Sequence, residues 1–196
     1  VLLPLFALCF LLLLVSGNEA VTVWVNQHHH PLLDQGLSQI TLLGDWILYV
    51  VVILAGWRSN RRHAAVGILA LAVSGLLVAL LKHQVFPERQ RPSATLAAGS
   101  IRAVPDVPLH RNNSFPSGHT ATAFTGFCCL AFFTRKTAIQ ALFALAAGLV
   151  AYSRMYLGQH FLNDVLAGAA IGTAVALAID WIFQMWQPRW LNPEQV

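Results

Sequence analysis

The chain has 196 residues, 57% hydrophobic and only 10% charged, with a net charge of +4. Soluble domains carry about 25% charged residues, so composition excludes an ordinary soluble globule and points to one membrane-embedded bundle, a single domain over residues 1–196. The basic residues are scattered among loops without an aromatic-basic run, which argues against a nucleic-acid partner.

Residues 1–16 are almost purely apolar and read as a first span. Val1 opens inside that run, so further residues are expected upstream. A cleaved leader ending near Ser16-Gly17 is the competing reading, but its removal would leave an odd number of spans. Residues 18–39 read as a polar connection carrying His28, His29 and His30. A solvated loop is favoured there over a metal site, because consecutive histidines do not converge on one ion unaided. Trp24 suits an interfacial anchor. Residues 40–57 form the second span, with Asp45 just inside its start, where a helix N-terminus tolerates a carboxylate. A basic turn follows at Arg58, Arg61 and Arg62.

Residues 64–85 read as the third span, with Gly67, Ser74 and Gly75 available for close helix approach. The long segment from Lys82 to Pro116 holds five prolines and is expected to be a functional cover. Residues 117–134, 137–153 and 163–186 complete six spans. Asp180 lies deep in the last and needs a partner or water. Cys9, Cys128 and Cys129 lie in apolar runs and read as packing residues. The expected fold is therefore all-α, an integral-membrane bundle of six transmembrane helices with a long outer-face loop between helices 3 and 4. Six spans put both termini and the short basic turns on one side, taken as cytoplasmic.

On that topology the chemistry-bearing groups share the outer face. His160 and Asp164 are four apart, which on a helix places them on one face, with the carboxylate able to hold one ring nitrogen and leave the other free. Ser117, Gly118 and His119 open a span after Pro116. Free N–H groups and the positive helix end there suit an anion, and Gly118 lets the main chain approach it. Lys82, Arg91 and Arg154 supply charge, the arginine fork matching phosphate oxygens. His119 is free to protonate a leaving oxygen.

These residues resemble the three motifs of the type 2 phosphatidic acid phosphatase family. The third motif is matched at Ser153, Arg154, His160 and Asp164, and the second at Pro116, Ser117, Gly118 and His119. The first is matched by Lys82 and Arg91-Pro92, with eight residues between them where the family has six. Arg89 sits at the family's distance but lacks the following proline, so Arg91 is preferred.

The resemblance implies a lipid phosphatase with a phosphohistidine on His160. Asp164 orients it, His119 is the acid and then the base, and Lys82, Arg91, Ser117, Gly118 and Arg154 bind phosphate. It implies no metal and no other cofactor, and the sequence offers no acidic cluster suited to magnesium. The implied partners are the membrane and a lipid phosphate: undecaprenyl pyrophosphate, phosphatidylglycerol phosphate, phosphatidic acid or a lipid A phosphate. The implied setting is a bacterial inner membrane, with the site on the periplasmic face. A phosphotransferase using the same histidine, or a non-catalytic lipid-phosphate transporter, are the alternatives. Oligomeric state is not legible.

Overall fold

The computed structural model describes residues 11, 13 and 15–186. The expected first span and the tail beyond Trp186 fall almost wholly outside them. The described residues contain helices and no strands. In order these are α1 (Asn18–Gln27), α2 (Pro31–Ile40), a 3-10 turn (Thr41–Gly44), α3 (Trp46–Ser59) and α4 (Arg61–Leu80). A π turn (Leu81–Val85) extends α4. Then come the one-turn α5 (Pro92–Thr95), α6 (Gly118–Phe132), α7 (Thr137–Tyr156) and α8 (Leu162–Trp186).

Among the described residues, three segments are long and apolar enough to cross a bilayer: Arg61–Val85, Thr137–Tyr156 and Leu162–Trp186. The pair Pro31–Gly44 and Trp46–Ser59, bent by 56°, makes a fourth if it counts as one span. The bend sits at Asp45, whose carboxylate accepts the Trp46 N–H at 2.8 Å and caps α3. The expected second span is thus broken near its start. The expected polar connection over 18–39 is not a loop but two helices, α1 and α2.

The expected fourth span, α6, has 15 residues, about 22 Å at the helical rise. It is the buried centre of the bundle, with Ala121, Ala123, Phe124, Phe127, Cys129 and Leu130 all in the core. Two glycines one turn apart on α8 let it lie directly against α6. A Cβ at Gly168 would come 2.5 Å from Ser117 O, and one at Gly172 would overlap Ala121 O. This is the small-residue contact by which membrane helices approach closely. On the other side Thr125 Oγ1 lies 3.0 Å from Ser74 Oγ of α4. Leu76, Leu145 and Leu177 point outward, as lipid-facing side chains do.

The two ends of the bundle differ. At one end Arg62 donates to Asp180 Oδ1 at 2.6 Å, and Gln184 donates to its other oxygen at 2.6 Å. This ion pair ties α4 to α8 and satisfies the carboxylate. At the opposite end the C-termini of α4 and α7 meet the N-termini of α6 and α8.

Candidate active site

The turn from α7 to α8 is built by local rules. Gly158 takes φ +66°, a left-handed conformation that suits glycine. Its N–H donates to Met155 O, and the Gln159 N–H donates to Arg154 O, both at 2.9 Å. This pair of bonds is a Schellman closure. It satisfies the last carbonyls of α7 and reverses the chain so that His160 follows at once. A Cβ on Gly158 would come 2.5 Å from Ile101 Cγ2.

The start of α8 is capped from two directions. Asp164, in its first turn, reaches back to accept the Phe161 N–H at 2.9 Å, the acidic half of a capping box. The next two N–H groups are taken by α1: Leu162 N–H by Thr22 Oγ1 at 3.2 Å and Asn163 N–H by Asn18 Oδ1 at 2.9 Å. Asn26 of α1, fully buried, donates to Tyr156 O at 2.8 Å at the end of α7. The amino-terminal helices are therefore the clamp that holds the turn.

His160 is buried in that turn. It precedes α8 rather than lying on it, so the expectation of two residues on one helical face is corrected. The pair still meets, because the carboxylate at the third position of α8 points back toward the turn. His160 Nδ1 lies 3.4 Å from Asp164 Oδ2. That is within ion-pair reach, yet Nδ1 makes no hydrogen bond. Asp164 Oδ2 instead accepts from Ser114 Oγ at 2.5 Å and from Phe161 N–H. Asp164 is thus held by Ser114 and Phe161 and faces the ring at slightly more than hydrogen-bond distance. Burial, then the positive charges of Arg91, Arg154 and Lys82 and the neighbouring His119, hold the His160 imidazole well below its usual pKa. At neutral pH its ring is uncharged, the form in which a nitrogen lone pair can attack.

The three predicted cations are each anchored. Arg91 donates through Nε to Asn112 O at 2.9 Å and through one terminal nitrogen to Gln159 Oε1 at 3.0 Å. Burial pulls its pKa down while Asp164 acts in the opposite direction. Lys82 donates to Asn113 O at 3.1 Å. Arg154 donates to Thr41 Oγ1 at 2.6 Å, and its buried Nε is unpartnered. Such a donor suits an anion that is yet to arrive. Arg89 is exposed, in contrast to the buried Arg91.

Ser117 is fully buried and caps α6, with its Oγ 3.4 Å from the Thr120 N–H. Its own N–H donates to Asp164 O at 3.0 Å, tying α6 to α8 at the site. A Cβ on Gly118 would lie 4.0 Å from Lys82 Nζ, and His119 follows in the first turn. The predicted groups therefore gather at one end of the bundle. Thr41, Ser114, Gln159 and Gly158 also build the site and lie outside the residues the motifs name. Gly158 carried a readable signal, a glycine just past an apolar helical run. Ser114 and Gln159 each neighbour a motif, and nothing local marks Thr41.

The three histidines at 28–30 diverge. His28 Nδ1 lies 2.6 Å from Trp24 O, and His30 caps α2. His29, expected to be solvated, has a side chain only 1% exposed. Its Nδ1 lies 2.8 Å from Asp34 Oδ1, which also accepts from Tyr156 OH at 2.5 Å.

The sequence profile of the PAP2 superfamily matches residues 63–189. Phosphatidylglycerophosphatase B of Bacillus subtilis is 31% identical over 173 residues, 80% of this chain and 78% of the relative. Undecaprenyl-diphosphatase BcrC of the same organism is 30% identical over 162 residues, 80% of this chain and 76% of the relative. The crystal structure of Aquifex aeolicus LpxE superposes with a TM-score of 0.76 at 31% identity, covering 84% of this chain and 94% of that one. The match spans the residues of all three motifs, and the chain belongs to the PAP2 superfamily, as an enzyme of its membrane phosphatase branch.

Proposed function

We propose that this protein removes phosphate from a membrane lipid through a phosphohistidine on His160, without a metal ion. The observation that carries the reading is the buried imidazole of His160 set 3.4 Å from the Asp164 carboxylate. Lys82, Arg91 and Arg154, with the Ser117 hydroxyl and the main chain at Gly118, bind the phosphoryl oxygens. His160 Nε2 attacks phosphorus, forming the N–P bond as the P–O bond to the lipid breaks. His119 gives its proton to the departing oxygen. Asp164 offsets the positive charge that develops on the His160 ring. Water then attacks the phosphohistidine and passes its proton to His119, and the N–P bond breaks to release phosphate and restore His160. Preorganised cations aimed at the equatorial oxygens supply most of the rate.

The substrate class is a lipid phosphate, drawn from phosphatidylglycerol phosphate, phosphatidic acid, lipid A phosphates and undecaprenyl pyrophosphate. The names of the relatives support phosphatidylglycerol phosphate and undecaprenyl pyrophosphate within this range. The setting is a bacterial inner membrane crossed six times by a single domain over residues 1–196, with the site on the periplasmic side. The grouping of all eight proposed site residues at one end of the bundle supports a site at one face of the membrane. Purified protein in detergent is expected to release phosphate from lipid phosphates in the presence of chelator. His160→Ala is expected to abolish release while the protein stays folded. Near-normal turnover by that variant overturns the nucleophile assignment, and rescue of a chelator-inactivated enzyme by divalent ions overturns the metal-free mechanism.

A further inference from the structure

The segment from His110 to Ser114 lies against the one that carries Arg91. The Arg91 N–H donates to Arg111 O at 2.7 Å, and the Ser114 N–H donates to Arg89 O at 2.9 Å. Ser93 Oγ donates to His110 O at 2.8 Å and continues the pairing. Between the two main-chain bonds one side runs from 89 to 91 and the other from 111 to 114. The second side therefore holds one residue more than its partner, the arrangement of a bulge. Asn113 takes φ +55° and absorbs the extra residue. Asparagine is among the few residues with a side chain that enter this left-handed region readily.

Residues 112–114 each hold a different part of the site. Asn112 O accepts from Arg91 Nε at 2.9 Å, Asn113 O accepts from Lys82 Nζ at 3.1 Å, and Ser114 Oγ donates to Asp164 Oδ2 at 2.5 Å. That carboxylate oxygen is the one facing His160 Nδ1. Peptide units are planar, so the two torsions of Asn113 set the angle between the Asn112 carbonyl and its own. They also set the direction in which the chain leaves toward Ser114. The main chain of Asn113 is thus where the placement of two phosphate-binding cations and of the carboxylate behind the nucleophile comes together. Both carbonyl anchors are uncharged. An ammonium has three donors and a guanidinium five, so these bonds fix Lys82 and Arg91 and leave donors for a phosphoryl group.

Resting on the proposed phosphatase activity, we infer that Asn113 is a positioning residue, whose left-handed main chain sets Lys82 and Arg91 toward the phosphate and Asp164 toward His160 from one place. Disturbing it weakens anion binding and slows the chemical step together. Disturbing any one of the three anchored groups alone does not give that paired signature.

The test compares Asn113→Gly, Asn113→Ala and Asn113→Val as full-length protein in detergent micelles, well below each melting temperature. Glycine takes a positive φ without strain, alanine with some, and β-branched valine with most. Release from the lipid phosphate that the wild type cleaves fastest gives kcat and KM, and inorganic phosphate and vanadate give inhibition constants. Asn113→Gly keeps the turn, and its constants are expected to stay near the wild-type values. Asn113→Ala should raise both inhibition constants by about tenfold and lower kcat by about tenfold, and Asn113→Val should exceed it in both. If Asn113→Val does not fold, Asn113→Ala decides alone. A lowered melting temperature with unmoved inhibition constants and kcat in Asn113→Ala means that the turn is structural only, and overturns the inference. So does an Asn113→Gly protein as impaired as Asn113→Ala, because the side chain and not the main chain would then be acting. In either case, release by the wild type with none by His160→Ala leaves the phosphatase reading standing. Release from no lipid phosphate by the wild type overturns both.

Discussion

Ser114 Oγ donates to Asp164 Oδ2 at 2.5 Å, and the same oxygen is the one that faces His160 Nδ1 at 3.4 Å. The serine therefore sets where the carboxylate stands relative to the nucleophile. Ser114→Ala leaves Asp164 with the Phe161 N–H alone on that oxygen. Misplacing a group by a fraction of an ångström to one ångström costs up to about a hundredfold, so kcat is expected to fall by about ten- to a hundredfold. KM should hardly change, because the phosphate-binding cations are untouched. A steady-state kinetic comparison with an unchanged melting temperature checks this. A rise in KM at constant kcat overturns it.

Thr41 stands to Arg154 as Ser114 stands to Asp164. Arg154 donates to Thr41 Oγ1 at 2.6 Å. Thr41→Val keeps the shape and removes the hydroxyl. The guanidinium is then free to swing, and a bond to a charged group is worth about 1.5–3 kcal/mol. Phosphate and vanadate inhibition constants are expected to rise by about tenfold or more, with Thr41→Ser restoring them. Inhibition titrations decide; unchanged constants in Thr41→Val show that the threonine does not position the arginine.

Much of this end of the molecule could be read before it was seen. The length of the apolar runs gave α4 with its π turn, α7 and α8 to within a few residues at each end. The spacing of His160 and Asp164 placed them together, although through a capping turn rather than a helix face. What escaped was long-range. Asn18, Thr22 and Asn26 look like ordinary polar residues of a loop, because their partners at Asn163, Leu162 and Tyr156 lie over 100 positions away. Asp180 could not be paired with Arg62 for the same reason, the two being 118 apart. Asp45 read as a tolerated carboxylate at a helix start, which it is. That it also lines a cavity with His119 depends on how α3 and α6 pack, and no local pattern encodes that.

Gly158 joins the two halves of the site. Its φ of +66° is strained for any residue with a side chain, and a Cβ there would meet Ile101 Cγ2 at 2.5 Å. Gly158→Ala is expected to cost about 1–3 kcal/mol from the backbone conformation alone, plus whatever Ile101 must yield. Pairing it with Ile101→Ala should recover the steric part and leave the conformational part. Thermal melts of the single and double variants measure both. Activity should fall more than stability, since the closure at Gly158 sets the position of His160.

The last expectation concerns acid. His160 is held well below its ordinary pKa in the folded protein, first by burial and then by Arg91, Arg154 and Lys82. In the unfolded chain it titrates near 6.5. Above that pH both states are neutral at this position, and the residue makes no difference to stability. As pH falls below about 6.5 the unfolded chain binds a proton that the folded one refuses, so stability is lost. The loss grows by about 1.4 kcal/mol per pH unit at most and stops only at the folded pKa. His160→Gln removes this linkage. The melting temperature of that variant relative to wild type should therefore rise as pH is lowered from 7 toward 5. A difference that stays constant across the series would mean that the imidazole is not held neutral, and that the nucleophile proposed for this site is not ready to attack.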